Sequence, residues 1–391
     1  GSRMHARLDN EPEGLYVANP TSRPLTGWVR FPKSAPRREF QSLESESGPV
    51  AVAFDKVFDR ILPTQIPGPA DPETPQEATV ARFWVQDLAP HTIRRYRYSD
   101  REAAAPPSAP QRLTVKVEDH GWPVSISWPG MQRPLFLAGF GDFVAVEVNA
   151  SRSVVAALAE GQGTPQERAG RRAAVLKELA ASPAGHVAVE NTPHTIVYTQ
   201  ALEHARLKYL KRTLEVWKDE PRARLTVRLN RISSTAPESF YLNFPLPADG
   251  ALPVLSSGGT PFVPFRDQLG DSCRDYFATD GWADYKTPAG VWLWVSRDAP
   301  MVTVGGPNTL ERIKDAPRDP GRLMAMIFNN HWHTNFVADS HGAMEFQFDL
   351  VWKDKIDDPA ALAETLMGEP AVLLNPAARP DPLFLKYLWR N

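Results

Sequence analysis

The sequence has very little cysteine, no long apolar run and almost no net charge. Cys273 is the only cysteine among 391 residues, so neither an intrachain disulfide nor a thiolate metal cluster can form. No apolar stretch reaches about 18 residues, the length that a membrane-spanning helix needs. The 44 basic and 46 acidic side chains nearly cancel, so no strong field favours nucleic acid or an anionic lipid surface.

Proline and aromatic residues, by contrast, are abundant. The chain has 38 prolines, which is about twice the usual share, and its aromatic residues include 11 tryptophans. This combination suits short strands joined by rigid turns better than a helical bundle. With 42% hydrophobic residues, a chain of this length can form two or three domains with substantial cores. The composition therefore predicts a mainly β protein.

Residues 1–100 contain short strand candidates separated by turn residues. Leu15–Val17, Trp28–Phe31 and Thr79–Val85 are examples. Strands at this spacing over about 100 residues are typical of a small β-sandwich. The proline- and alanine-rich residues 101–110 then predict a linker.

Residues 111–357 resume the β pattern over a much larger region. The clearest strand is Arg222–Asn230, in which apolar residues alternate with charged or polar ones. Residues 151–183 interrupt the pattern and predict a helical insertion, which begins at Thr164-Pro165-Gln166-Glu167. That tetrapeptide fits a capping box with proline at the first helical position. Over 204–219 the periodicity fits both a helix and a strand.

The two ends of the chain carry weaker signals. Residues 358–391 predict a C-terminal helix and tail, with a helix that begins at Asp358-Pro359 and ends near Gly368. The opening Gly1-Ser2-Arg3-Met4-His5 resembles a cloning remnant more than a signal peptide, so we expect upstream sequence to be missing. The single cysteine and the lack of a visible signal peptide weakly favour a cytoplasmic location.

The segment Phe328–Phe336 concentrates polar groups on one strand face. Alternate residues of a strand share a face, and the polar face here consists of Asn329, His331, His333 and Asn335. Across the turn Asp339–Gly342, we expect a partner strand with the same division, in which Glu345, Gln347 and Asp349 face outward. Such a face suits a sugar or a neighbouring domain, because sugar hydroxyls need paired donors and acceptors.

The same segment offers a metal site as a weaker alternative. His331 and His333 have the spacing that lets two imidazoles bind one metal ion. A third ligand would have to come from His341 or Asp339, if the turn folds back. We therefore expect no metal in this chain and favour a polar strand face hydrogen-bonded to a neighbouring domain.

The segment Phe265–Phe277 is loop-like and dense in charge. Asp267, Asp271 and Asp275 could serve as the paired carboxylates of a glycosidase. Alternatively, Arg274 could form a bidentate ion pair that organises its own loop. Structural ion pairing, or contact with a ligand in trans, is the favoured interpretation.

At these segments the sequence resembles a known family. Four stretches resemble the β-sandwich half of glycoside hydrolase family 38, the α-mannosidase-like proteins, in the family's order: Gly139–Phe143, Leu214–Arg231, Asp267–Phe277 and Asn329–Phe336. The resemblance implies a large supersandwich of the galactose-mutarotase type after a small Ig-like sandwich. It also favours strands over 204–219.

The resemblance further implies a function that is divided between domains. Family members hold zinc and a nucleophilic aspartate in an N-terminal domain, which we do not find in this sequence. We therefore expect the chain to be the non-catalytic β portion of such a hydrolase, with that domain supplied in cis or in trans. The residues expected to contact carbohydrate or the domain interface are Asp271, Arg274, Asp275, Asn329, His331, His333 and Asn335.

Two other hypotheses stay open at this point. The chain could be a carbohydrate-binding module that grips a glycan through the polar strand face and its tryptophans. It could also be a self-sufficient mutarotase, lyase or carboxylate-based hydrolase that uses the supersandwich cleft. Two carboxylates, or a histidine and a carboxylate, meeting in a groove of the large sheet would favour that enzyme. Assembly into a homo-oligomer is a further expectation.

Overall fold

The computed structural model describes residues 12–34, 36, 38–59, 76–151, 154, 158, 163–309, 313–330, 339–368 and 370–375. The chain divides into two compact units, which are described separately. The small unit comprises Gly1–Pro107 and Glu364–Asn391, and the large unit comprises Ser108–Ala363. The prediction of a mainly β protein is confirmed. In the part of the chain that the structure describes, no helix is long and apolar enough to cross a membrane.

The small unit is built from two antiparallel sheets. The five-stranded sheet has the order β26 (Ala371–Asn375), β1 (Gly14–Ala18), β7 (Ile93–Ser99), β3 (Ser42–Ser45) and β4 (Gly48–Ala51). The three-stranded sheet has the order β2 (Leu25–Pro32), β6 (Gln76–Leu88) and β5 (Ala53–Asp59). Alternate residues of both sheets, such as Val17, Phe31 and Phe83, form one apolar core.

The C-terminal region contributes a strand that the sequence pattern does not predict. After helix α2 (Pro359–Met367), strand β26 pairs with β1 from Gly14↔Asn375 to Ala18↔Ala371. Five residues are too few for an alternation of apolar and polar side chains to be recognised in the sequence. Moreover, a partner at the opposite end of the chain leaves no local sequence signal.

The large unit is a sandwich of a ten-stranded sheet and a six-stranded sheet. The first has the order β12 (Ser182–Pro183), β14 (Thr195–Glu203), β15 (Leu207–Trp217), β16 (Arg222–Arg231), β25 (Gly342–Lys353), β22 (Gly290–Ser296), β21 (Trp282–Thr287), β18 (Val254–Ser257) and β19 (Thr260–Phe262), with β13 (Ala188–Asn191) also on β14. The second has the order β11 (Leu176–Ala180), β10 (Phe143–Val148), β17 (Glu238–Pro245), β24 (Arg322–Asn329), β23 (Met301–Val304) and β20 (Phe277–Ala278). A two-stranded sheet of β8 (Thr114–Val117) and β9 (Pro123–Ser127) completes the unit.

The core of the large unit lies between these two sheets. The Phe244 ring of the six-stranded sheet lies 4.8 Å from Phe348 and 5.4 Å from Trp294, both in the ten-stranded sheet. On β16, the predicted alternation is confirmed, because Ala223, Leu225, Val227 and Leu229 are all buried in this core. Residues 207–217 form β15, so the strand interpretation of 204–219 is also confirmed.

The predicted helix start at Thr164 is confirmed. Helix α1 (Pro165–Val175) begins with a capping box. The Thr164 hydroxyl accepts a hydrogen bond from the Glu167 amide, and the Glu167 carboxylate accepts one from the Thr164 amide. The helix is followed directly by β11, which pairs with β10. The interrupted region is therefore partly a strand of the six-stranded sheet.

The described strands on either side of residue 340 do not pair with each other, and the predicted pairing of residues 331–336 lies outside the described residues and stays a prediction. Strand β24 ends at Asn329 and pairs with β17 and β23, whereas β25 pairs with β16 and β22. The two segments thus belong to facing sheets. Asp349 is also buried, although alternation predicts an outward position, because Arg222 and Arg224 of the neighbouring strand cover it. Burial alone would raise the pKa of Asp349, but these guanidinium groups lower it below its ordinary value.

Candidate functional site

The loop that joins β19 to β20, called the 263–277 loop below, is stabilised by its own charged residues. Asp267 Oδ2 accepts a hydrogen bond from the Val263 amide at 2.7 Å, and Arg266 Nε lies 2.8 Å from Asp267 Oδ1. The Arg266 guanidinium, followed by the Val263 amide, holds the pKa of Asp267 below its ordinary value. A general acid at neutral pH needs a raised pKa. This carboxylate therefore serves the loop as an ionised acceptor.

Arg274 and Asp275 attach the 263–277 loop to a second connection. Arg274 Nη1 donates to the carbonyl of Lys314, and Asp275 Oδ1 accepts from the Ile313 amide at 2.7 Å. Among the described residues, the contacts of Arg274 go to the backbone carbonyls of Lys314 and Leu269, whereas the sequence analysis considered a bidentate Arg–Asp pair. Both side chains fix the path of the backbone.

The two motif segments enter the six-stranded sheet from different directions. In the strand register, Phe277 pairs with Val302 on β23, and Val302 pairs with Ala325 on β24. Asn329 lies beyond Ala325 on β24, whereas the 263–277 loop leaves Phe277 toward the opposite end of the sheet. Asp271, exposed within that loop, is not brought beside Asn329 by this register.

The chain passes from β24 of the six-stranded sheet to β25 of the ten-stranded sheet between Asn329 and Gly342, and Asn330 and Asp339 are described residues that flank this crossing. Asn330 Oδ1 accepts from the Glu238 amide at 2.6 Å, and the Asn330 amide donates to the Glu238 carbonyl at 3.1 Å. Asp339 Oδ1 accepts from Arg231 Nη1 at 2.9 Å. Both flanks of the crossing are therefore held by strand ends, Asp339 by Arg231 at the end of β16 and Asn330 by Glu238 at the start of β17.

Three of the predicted site residues fall within this crossing. His331, His333 and Asn335 lie outside the described residues, so their predicted roles stay predictions. Asp339, which the sequence analysis named as a possible third metal ligand, does lie among the described residues. Asp339 accepts bonds from Ser233 Oγ and the Ser234 amide as well as Arg231, and it lies 3.0 Å from His341 Nδ1. The bond from Ser233 is the main reason that the pKa of Asp339 lies well below its ordinary value.

A buried ion pair closes this end of the sandwich. Arg231 comes from the ten-stranded sheet and Glu238 from the six-stranded sheet, and both side chains are completely buried. Arg231 Nε donates to Glu238 Oε1 at 3.2 Å, and its guanidinium lies 4.0 Å from the centre of the Phe328 ring. Arg206 Nε lies 3.3 Å from Glu238 Oε2 and also contacts Glu147. We call Glu147, Arg206, Arg231, Glu238 and Asp339 the polar end cluster.

Apart from Asp339, the residues of the polar end cluster are not among the candidates predicted from the sequence, although a signal for Arg231 and Glu238 exists. Arg231 continues the inward-facing series of β16, two residues after Leu229. Glu238 likewise precedes Phe240 in the inward-facing series of β17. A charged residue at an inward position is a sign of a buried ion pair. Its partner could not be inferred, because it lies on the opposite sheet.

The motif Gly139–Phe143 also has a structural explanation. Gly139 and Gly141 have φ angles of +89° and +74°, a region that favours glycine. The turn places Asp142 Oδ1 2.8 Å from Nη1 of the buried Arg212. That guanidinium lies 3.9 Å from the centre of the Trp122 ring. The motif therefore places the half-exposed carboxylate of Asp142 against a buried guanidinium that also packs on Trp122.

The tryptophans of the large unit do not form a sugar platform among the described residues. The buried ones are Trp122, Trp128, Trp217, Trp282, Trp292, Trp294 and Trp352. A stacking platform needs an exposed ring face. These seven tryptophans therefore do not support the hypothesis that the chain is a carbohydrate-binding module.

A histidine and a glutamate both line one cavity of the large unit. Glu203 and His204 line a cavity of about 510 Å³ beside the β14–β15 turn. His204 Nδ1, however, accepts from the Arg206 amide at 3.2 Å, and its ring lies edge-on to Phe143. Burial lowers the pKa of His204, which keeps the imidazole neutral. These contacts give His204 a packing role, so the cavity does not favour a self-sufficient enzyme.

Comparison with known proteins adds evidence at the level of structure. No protein-family model and no curated protein matches the chain. An α-mannosidase from Enterococcus faecalis V583 is similar, with a TM-score of 0.56 and 11% identity over 94% of this chain and 46% of its own. A glycosyl hydrolase family 38 protein from E. faecalis gives a TM-score of 0.53 and 11% identity, over 96% of this chain and 48% of its own. The chain shares the fold of these family 38 proteins.

This likeness to the family 38 structures concerns the fold, since the identity is only 11%. The chain spans less than half of their length. A galactose mutarotase related enzyme from Lactobacillus acidophilus also matches, with a TM-score of 0.29 and 9% identity over 64% of this chain and 98% of its own. That score is too low to support an argument. Among the described residues, no group of three His, Cys, Asp or Glu side chains could hold a metal ion.

Proposed function

We propose that this chain is the non-catalytic β portion of an α-mannosidase-like glycoside hydrolase. In this proposal the chain packs against a zinc-dependent catalytic domain, in the same polypeptide or in a second one, and completes its substrate site. The main support is the pattern of coverage: almost all of this chain matches family 38 structures that are about twice as long.

The chemistry of the described carboxylates agrees with a supporting role. Asp267 and Asp275 accept hydrogen bonds from backbone amides of their own or a neighbouring connection. The polar end cluster holds the flanks of the crossing that carries His331 and His333. These groups position other residues, and the bond-breaking groups would come from the catalytic domain.

Zinc belongs to that catalytic domain in our proposal, where it would act as a Lewis acid on the substrate. The substrate class that we propose, by analogy with the Enterococcus α-mannosidase, is an α-mannoside. Arg274, Asp275 and Asn329 are proposed to contact the carbohydrate or the domain interface, together with Asp271, His331, His333 and Asn335. Assembly into a homo-oligomer is also part of the proposal.

The test is reconstitution from the natural gene. The coding sequence upstream of Arg3, or the neighbouring gene, is expressed with this chain, and the product is assayed on an aryl α-mannoside with and without a chelator. We expect a stable assembly whose hydrolysis the chelator abolishes and zinc restores. A natural gene that encodes no further domain, and a chain that co-purifies with no zinc protein, would refute the proposal.

A further inference from the structure

Two exposed histidines lie side by side on the surface of the large unit. His120 lies in the turn that joins β8 to β9, and His186 lies in the connection between β12 and β13. The centres of their rings are 6.1 Å apart, and the ring planes are inclined by 51°. The two residues are distant in the sequence, so only the fold brings them together.

The backbone fixes the spacing of these two residues. The His120 carbonyl accepts a hydrogen bond from the Val187 amide at 3.0 Å, so the two segments are bonded to each other directly beside the histidines. Val187 also packs against the hydrophobic core. The turn itself is closed by a bond of 2.8 Å from the Gly121 amide to the Glu118 carbonyl, and Gly121 has a φ of +90°, which favours glycine. The two imidazoles therefore project from a fixed base.

Neither imidazole is engaged by another polar group in the described part of the chain. Within those residues, the ring nitrogens of His120 and His186 have no hydrogen-bond or ion-pair partner. His341, by contrast, lies 3.0 Å from the Asp339 carboxylate. A neutral imidazole has one nitrogen with a free lone pair, which is the group that binds a metal ion. Both rings can therefore offer such a nitrogen to an ion from solvent.

The separation of the two rings suits a shared metal ion. A bond from a histidine nitrogen to zinc is about 2.0–2.1 Å long, so the ion lies about 3.2 Å from the ring centre. Two rings on one tetrahedral ion then have centres about 5 Å apart. The observed 6.1 Å exceeds this separation by about 1 Å. Exposed side chains change rotamer freely, so a small rotation of each ring closes the difference.

We propose that His120 and His186 chelate one divalent transition-metal ion of the kind that prefers imidazole, such as Zn²⁺, Ni²⁺ or Cu²⁺. The protein supplies two ligands and water completes the coordination, which agrees with the lack of any group of three His, Cys, Asp or Glu ligands among the described residues. The bound ion ties the β8–β9 turn to the connection between β12 and β13. This site is separate from the proposed function and from its catalytic zinc.

The test measures how fast diethylpyrocarbonate modifies each histidine, by peptide mass spectrometry on the chelator-treated 391-residue chain with and without Zn²⁺. Saturating Zn²⁺ should slow the modification of both His120 and His186 about tenfold or more, because a nitrogen bound to zinc is no longer a free nucleophile. Mg²⁺, which prefers oxygen ligands, should protect neither.

Single variants test whether the two rings act together. In His186→Gln the zinc protection of His120 should be lost, and in His120→Gln that of His186. His91→Gln, a change at an exposed histidine of the small unit, should leave the protection of both unchanged. Unchanged urea unfolding of each variant shows that it is folded.

Three results would overturn the proposal. If Zn²⁺ leaves the modification of both rings unchanged, or if Mg²⁺ slows it equally, the two imidazoles pack side by side without binding a metal. If His120 stays protected in His186→Gln, zinc binds one ring alone and there is no chelate. If Zn²⁺ protects His331 and His333 instead, the metal lies on the segment considered from the sequence. Each result leaves the proposed function untouched, because the experiment needs no catalytic domain.

Discussion

Replacing Arg231 by methionine should destabilise the large unit more than a typical surface substitution. The guanidinium donates to Glu238 Oε1, to Asp339 Oδ1 and to the carbonyls of Ser234 and Ser340. Methionine keeps much of the volume but supplies no donor, so the buried Glu238 carboxylate loses its main partner.

The size of the effect follows from these contacts. Removing one member of a buried ion pair typically costs about 3–5 kcal/mol, because the other charge stays buried. Arg206, 3.3 Å from Glu238 Oε2, offsets part of that cost. We therefore expect a loss near the lower limit, about 3 kcal/mol. Adding Glu238→Gln should relieve it, leaving the double variant about 1–2 kcal/mol below wild type.

The assay is urea unfolding followed by the fluorescence of the buried tryptophans of the large unit. The single and double variants form a double-mutant cycle, which isolates the coupling between the two side chains. If Arg231→Met loses less than about 1 kcal/mol, the pair is not the stabilising element inferred here. A double variant that is less stable than Arg231→Met would equally refute the reasoning, since the unpaired charge would not be the cause.

Three further predictions concern individual positions. Gly141→Ala should lower the free energy of unfolding in urea by about 1–2 kcal/mol, because φ is +74° and a Cβ would lie 3.0 Å from Leu225. The control is Gly170→Ala in the exposed helix α1, where a Cβ meets open space and the change should be neutral or stabilising. Thr164→Ala should cost about 1 kcal/mol and speed amide exchange in the first turn of α1 alone. Burial raises the pKa of Asp284 above its unfolded value, so ionisation of this carboxyl group opposes folding. Asp284→Asn should therefore be more stable than wild type at pH 7 and should lose this advantage below about pH 4. A gain in stability that does not depend on pH would contradict this reasoning.

Local patterns were sufficient to predict individual elements. The alternation through β16 and the capping box at Thr164 are both confirmed, because each depends only on neighbouring residues. The pairing of elements was harder to predict. β24 and β25 are close in sequence but belong to facing sheets, and β26 pairs with the first strand of the chain. No short-range pattern contains that information.

The same distinction holds for the candidate site. The charge density of the 263–277 loop is visible in the sequence, but the use of Asp267 and Asp275 as acceptors of backbone amides depends on the folded path of the chain. Arg231 and Glu238 are charged residues at inward-facing positions of their strands, and the alternating pattern in the sequence is enough to detect this. Their pairing across the sandwich requires the two sheets to be placed face to face.

The central claim is that this chain supports catalysis without performing it. The most direct measurement is the hydrolysis of an aryl α-mannoside by the purified 391-residue chain alone, with and without added zinc, beside the assembly with its catalytic domain. The account predicts no turnover above the buffer rate for the chain in either condition and chelator-sensitive turnover for the assembly. Hydrolysis by the chain alone, whether or not zinc is present, would contradict it.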